Sequence, residues 1–449
     1  MQENQSKRLN ILLVAEQCNP EGASVPLIAW HFFDQVSQLA DVTLVTHERN
    51  QEQIEKYRNG RNVVYIQEGA FSKNYYRIIT QLLTFLFRGK INWPLLHTLA
   101  LPIYLEFDYT VYRKFKQAVQ NHVYDVVHAV NPTIPRFPVK ISQACTEVPF
   151  LLGPLNGGIP FPKSFQDKAK QEFVQFNFLR TVGRYLMPGY LATYRRASKI
   201  LVGSNFTLEM LKKTFNLPDS RISLFSENGI PQEFFVDHKV AALDRPVKLL
   251  FVGRLVPYKC ADLVIEAIAK LAPATLDRVT LTIVGDGSER ANLEAQVQRL
   301  QLEKTVTFTG WIGHQETSSH YKTSDIFCFP SIREFGGAVV LEAMASGLPC
   351  IVADYGGISE YVTEQAGFKI EPISASHLIQ KLAEAIQLLV DDPQLRSQMS
   401  QQAIQRAKEF EWSHKATQLV QLYSALKTAT QPSIQQLPDM SPRPKTQFG

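Results

Sequence analysis

The chain has 449 residues but only five cysteines (Cys18, Cys145, Cys260, Cys328 and Cys350), odd in number, widely spaced and without a CxxC pair. That pattern argues against a disulfide framework and against a zinc site, and fits a reducing, cytoplasmic compartment. Long apolar runs are missing too: none approaches the ~18 residues of a spanning helix. The polar start MQENQSKRLN leads only into the short run ILLVA, which is too brief for a secretory signal and reads as a first buried strand. Charge of one sign is scarce. A net charge of +5 without a basic run gives no support to nucleic-acid binding. The GDG at Gly285–Gly287 lacks the third glycine of a dinucleotide fingerprint, which makes a Rossmann dehydrogenase a poor fit. No internal repeat is visible, and no metal centre or cofactor is expected.

What is present is the balance of a folded protein, 45% hydrophobic and 20% charged. Its length suits two domains of roughly 200 residues. Short apolar runs that end in glycine, proline or a polar loop, each followed by a helical pattern, predict an α/β fold of two doubly wound parallel sheets. The expected strands are 11–15, 42–46, 63–66, 126–129, 150–152 and 200–203 in the first half. In the second half they are 249–253, 281–285, 306–310, 326–330 and 350–354. Periodicity is lost over Ile230–Val247, which puts the boundary near residue 236: a first domain over 1–236 and a second over 237–412. The helical stretch 413–428 is expected to return to the first domain, and the Pro/Gln-rich 430–449 to be disordered. Between Phe71 and Gln117, aromatics mix with Lys73, Arg77, Arg88, Lys90, Arg113, Lys114 and Lys116. Such a segment suits either an insertion contacting an anionic membrane or a helical insertion with a solvated basic face.

In an open parallel sheet, ligands bind beyond the carboxyl ends of the strands. Those positions hold Arg254 and Lys259 after LLFVG, Ile312 after VTFTG, and Glu334, Gly336 and Gly337 after FCFP. Two cations near a helix start can receive a diphosphate, although a solvated strand edge explains them as simply. A helix starting at Gly337 or Ala338 places Glu334 in the loop before it and Glu342 about one turn inside. Both carboxylates could accept sugar hydroxyls, or merely complement the helix dipole. In the first half, Gly22 follows the first strand, His128 closes the fourth, and GPLNGG (Gly153–Gly158) follows the fifth.

The motifs FVGRLVPYKCADLVIEA, LTIVGDGSERANLE, VTFTGWI and EFGGAVVLEAMASGLPCIVAD, with SENGIPQEFF upstream, resemble the family 4 glycosyltransferases. The resemblance implies the GT-B fold, two Rossmann-like domains facing a central cleft. It implies a retaining transfer of a hexosyl group from a UDP- or GDP-linked sugar, GDP-mannose among the candidates, to a lipid, glycan or polysaccharide-precursor acceptor, without a structural metal. Arg254 and Lys259 would neutralise the diphosphate, Glu334 would hold the donor sugar, and Glu342 the ribose. Ile312 would meet the base through its backbone, and Gly336, Gly337 and Ala338 would line the anion site. Gly22 would let the backbone approach or merely form a turn, and His128 would either take a catalytic role or only pack at the strand end, since Val130 stands where many relatives have a second histidine. Two departures stand out: Cys260 follows Lys259 where glycine is usual, and the glutamate loop reads Glu-Phe-Gly-Gly. Other readings are a phosphorylase or epimerase on the same fold, or a membrane-docked sugar-nucleotide-binding protein without catalysis.

Overall fold

The computed structural model describes residues 8–86, 95–96, 99–130, 135, 137–171, 187–237 and 245–430. Arg88, Lys90 and the 431–449 tail, for which sequence gave expectations, lie outside these residues.

The chain builds two parallel sheets. The first holds β1 (Asn10–Val14), β2 (Asp41–His47), β3 (Asn62–Ile66), β4 (Val126–Ala129), β5 (Phe150–Leu155), β6 (Lys199–Val202) and β7 (Ile222–Leu224), in the order β3-β2-β1-β4-β5-β6-β7. The second holds β8 (Val247–Val252), β9 (Val279–Val284), β10 (Val306–Gly310), β11 (Ile326–Phe329), β12 (Cys350–Ala353) and β13 (Gly367–Ile370), in the order β10-β9-β8-β11-β12-β13. The two doubly wound sheets expected from sequence are therefore found. Each order reverses direction once, between β1 and β4 and between β8 and β11, and a crevice opens at such a reversal.

The central strands are mostly apolar because helices cover both faces of each sheet. In β11 (IFCF) and β12 (CIVA) every residue is buried, and each large side chain removed from water contributes about 1.5–3 kcal/mol. Two strands were not anticipated, β7 (ISL) and β13 (GFKI). Both lie at sheet edges, where one face meets solvent and the run of apolar residues that marks an inner strand is broken. β5 also extends past the expected end, with a register shift between Leu152 and Leu155 that carries the chain to Asn156.

Two segments pack across the sequence divide. Phe161, Phe165 and Ala169, which follow β5, bury into the core of the second sheet. Lys168 Nζ meets Asp262 at 2.8 Å and donates to the Pro257 carbonyl at 3.0 Å. In the opposite sense, the helix Trp412–Thr430 lays Trp412, Ala416, Leu419 and Tyr423 into the core beside β1 and the helix Val25–Leu39.

Candidate active site

The reversal between β8 and β11 brings together two loops far apart in sequence. After β8 the chain turns at Gly253 and reaches a short 3-10 turn, Pro257–Lys259. After β11 it runs through Ser331–Phe335 to the helix Ala338–Ala345, whose first cap is Gly337 in the left-handed conformation (φ 59°). The loops are laced by backbone contacts: Ile332 N and Ser331 Oγ both donate to the Tyr258 carbonyl, at 3.0 and 3.3 Å. A third loop closes the floor, where Leu255 N donates to the Asp286 carbonyl at 2.9 Å and Glu289 N to the Leu255 carbonyl at 2.9 Å. Gly287 must lack a side chain there, since a Cβ would strike the Leu255 backbone.

Within this frame Lys259 and Glu334 form an ion pair, with Lys259 Nζ also 4.8 Å from the centre of the Phe329 ring. Lys259 is buried, so its charge acts in a medium where it is poorly screened. Arg254 is exposed at the rim and donates to Tyr258 Oη at 3.0 Å. Glu342 is half-buried one turn into its helix, beside the buried Tyr321. Burial first, and then the Glu342 carboxylate, hold the Tyr321 phenol well above its usual range. Gly336 precedes the cap Gly337, and the helix begins at Ala338 as expected, with no side chain capping its first turn. Cys260 takes the left-handed conformation (φ 58°) that glycine would adopt freely, so the turn after Lys259 forms at a backbone cost of about 1 kcal/mol.

Of the remaining expected residues, Ile312 and Gly22 follow the strand ends at which they were expected, whereas His128 is withdrawn from the crevice. Ile312 follows β10, two strands from the reversal, half-buried behind the exposed Trp311. Gly22 is half-buried in the loop after β1, its amide donating to the Asn19 carbonyl at 3.2 Å. The catalytic expectation for His128 needs correction. The side chain is fully buried; one ring nitrogen lies 2.6 Å from the Tyr423 hydroxyl and the other 2.6 Å from the Gly153 carbonyl. With both nitrogens occupied and no exposed surface, His128 ties β4 to the last helix and does not reach the crevice. Val130 is buried as well.

The facing rim comes from the first sheet. Arg333 Nε donates to the Ile159 carbonyl at 3.3 Å, and Tyr355 Oη to the Pro160 carbonyl at 3.2 Å. Beneath them lie two residues the sequence did not single out. Glu227, in the Asn-Gly turn, is buried and meets Asn156 Nδ2 at 2.9 and 3.0 Å; Lys415 is buried and donates to the Ser226 carbonyl at 2.6 Å. Burial raises the Glu227 carboxyl and lowers the Lys415 ammonium to about 7. A glutamate before Asn-Gly reads as a solvated turn residue, so only the fold reveals it. Among the described residues, no group of three or more His, Cys, Asp or Glu is placed to hold a metal ion, and no helix is long and apolar enough to cross a membrane.

Comparison with known proteins gives two relatives, two solved structures and one family match. The D-inositol 3-phosphate glycosyltransferase of Corynebacterium aurimucosum is 33% identical over 180 residues, 39% of this chain and 42% of that protein. The glycogen synthase of Mycobacterium tuberculosis is 32% identical over 195 residues, 43% of this chain and 46% of that protein. The chain thus spans under half the length of each of these two relatives. Among solved structures, Anabaena HepE in complex with UDP aligns at a TM-score of 0.61 with 17% identity, over 93% of this chain and all of that one. Sucrose-phosphate synthase from Thermosynechococcus elongatus aligns at 0.62 with 20% identity, over 94% and 100%. These two likenesses speak for the fold, the two-domain GT-B architecture. Residues 234–406, which carry the crevice from Arg254 to Glu342, match the family described as "Glycosyl transferases group 1".

Proposed function

We propose that the chain is a retaining glycosyltransferase of family 4. It moves a hexosyl group from a UDP- or GDP-linked sugar to a lipid, glycan or polysaccharide-precursor acceptor, and needs no cofactor. The observation that carries the reading is the convergence, at one strand-order reversal, of Arg254, the buried Lys259–Glu334 pair and the helix start at Gly337. Two cations and free amides suit a diphosphate whose negative charge grows as the glycosidic bond breaks. Glu334 lies where it can accept donor-sugar hydroxyls and face positive charge at the anomeric carbon; Glu342 can take a ribose diol. Ile312 offers its backbone to the base. The division follows: 1–236 on the acceptor side, 237–412 on the donor side. Incubation with a panel of UDP- and GDP-sugars, with and without lipid extracts, should release nucleoside diphosphate. Release no higher than from buffer, together with measurable nucleotide binding, would instead mark a non-catalytic sugar-nucleotide-binding protein.

The acceptor side carries a second observation. The helix Ala70–Leu86 buries Ile79 and Leu83 but leaves Ile78 (57%), Leu82 (50%), Phe85 (82%) and Leu86 (59%) exposed at i, i+4, i+7 and i+8, one stripe. Lys73 and Arg77 lie on another face of the same helix. An exposed apolar stripe suits the headgroup boundary of a bilayer, as a protein peripheral on the cytoplasmic face would need to reach a lipid acceptor. Vesicles rich in phosphatidylglycerol should float the protein at low salt and release it progressively toward 0.5 M salt. Phe85→Ser with Leu82→Ser should abolish flotation, and undiminished flotation in that variant would refute the docking surface.

A further inference from the structure

Asn156 stands at the end of β5, in the first sheet, yet its side chain reaches the second. Its amide nitrogen donates to both oxygens of Glu227, at 2.9 and 3.0 Å, and to the backbone carbonyl of Phe335 at 2.8 Å. Its amide oxygen accepts from Ser204 Oγ at 2.9 Å and Thr207 Oγ1 at 3.0 Å, both at the start of the helix Asn205–Phe215. The orientation of the amide is therefore set by chemistry: three acceptors surround the nitrogen and two hydroxyls the oxygen. Asn156, Glu227, Ser204 and Thr207 are all buried, where an unsatisfied group would cost about 1–3 kcal/mol.

Two glycines make room for this network. A Cβ on Gly203 would collide with the Glu227 carboxylate and the Asn156 amide, and one on Gly336 with Glu227 and the Asn228 amide. The glutamate loop is thus gripped from both sides. The Glu334 carbonyl accepts from Gly357 N at 3.0 Å, within the second sheet's own loops, whereas the next carbonyl, of Phe335, accepts from Asn156 of the first.

We propose that Asn156, backed by Glu227, is a positioning residue: an interdomain brace that seats the loop 334–337, and with it the Glu334 carboxylate, only when the first domain's loop is docked against the second. The proposal rests on the transferase reading above. It makes assembly of the donor-sugar pocket conditional on interdomain docking, because a hydrogen-bonded carbonyl next to Glu334 fixes the backbone that aims it. The charged groups facing the brace are Glu227 itself, Lys415 from the last helix and Glu334.

The test compares wild type, Asn156→Ala and Asn156→Asp in the full chain. Asn156→Ala should lower kcat for the donor at least tenfold while the donor KM changes less than threefold, since Arg254 and Lys259 remain. Amide hydrogen exchange should quicken in 334–337 and stay unchanged in β11 and β12. Asn156→Asp sets a carboxylate against Glu227 and a carbonyl with no proton to donate. Its turnover relative to wild type should therefore rise as pH is lowered, because two adjoining buried carboxyls take up a proton more readily than one. Wild-type kcat and wild-type exchange at 334–337 in Asn156→Ala would overturn the proposal. If that variant does not fold, Ser204→Ala, which removes one of the two hydroxyls orienting the amide, should show the same pattern with a smaller loss, and wild-type behaviour in it is equally fatal. A wild-type chain that turns over no donor defeats the transferase reading, whereas the exchange experiment still decides the brace.

Discussion

Lys259→Ala is expected to lower donor turnover by about a hundredfold, more than any other single truncation in the crevice. The reason is that Lys259 carries two tasks at once. Its ammonium is buried and is the counter-ion of Glu334, and under the proposed function it would also stabilise charge developing on a leaving diphosphate. Truncation leaves the Glu334 carboxylate half-buried without that cation, a situation that costs more than the pair contributes when intact. Arg254, exposed on the rim and held by Tyr258, is screened by water, so Arg254→Ala should cost closer to tenfold. Released nucleoside diphosphate, measured as kcat and KM across the donor series, checks both, and wild-type turnover in Lys259→Ala would remove it from the site. Arginine is no substitute at 259, since the wider guanidinium must fit a buried turn beside the Phe329 ring.

The second large effect falls on stability. His128→Ala should destabilise the fold by about 3–5 kcal/mol, through a cavity in a fully buried position and the loss of partners for both Tyr423 Oη and the Gly153 carbonyl. The pH dependence has a definite sign. Burial lowers the His128 pKa from 6.5 to about 4, opposed only by the hydrogen bond to Gly153, so the folded state keeps a neutral ring. Between those values the unfolded chain binds more protons, so the contribution is complete above pH 6.5 and is lost as pH falls toward 4. From pH 7 to pH 5 it amounts to about 2 kcal/mol. Urea titrations at the two pH values should show wild type losing that much more stability than His128→Ala. Equal pH slopes would mean that the imidazole is not held neutral by the fold. Donor KM in the variant should stay near wild type below its melting temperature, because His128 does not line the crevice.

The strands and the crevice were largely readable along the chain, and for a local reason. Parallel strands covered on both faces must be apolar without interruption, so IFCF and CIVA announce themselves, and the polar residues immediately after such runs mark the ligand edge. Arg254, Lys259, Glu334 and Glu342 sit at those edges, and their types already suit a diphosphate and hydroxyl-bearing rings. Edge strands β7 and β13 escaped because one side of each meets water and the apolar run is broken. What no local pattern could decide is which polar residues are taken out of water. His128 stands at a strand end, as a catalytic residue would, but the helix Trp412–Thr430 returns from the far end of the chain and seals it with Tyr423. Glu227 looks like a solvated turn residue, but the docking of two sheets buries it against Asn156. Periodicity and composition fix what is apolar along one segment; the burial of a polar side chain depends on partners distant in sequence, and only the packed chain selects them.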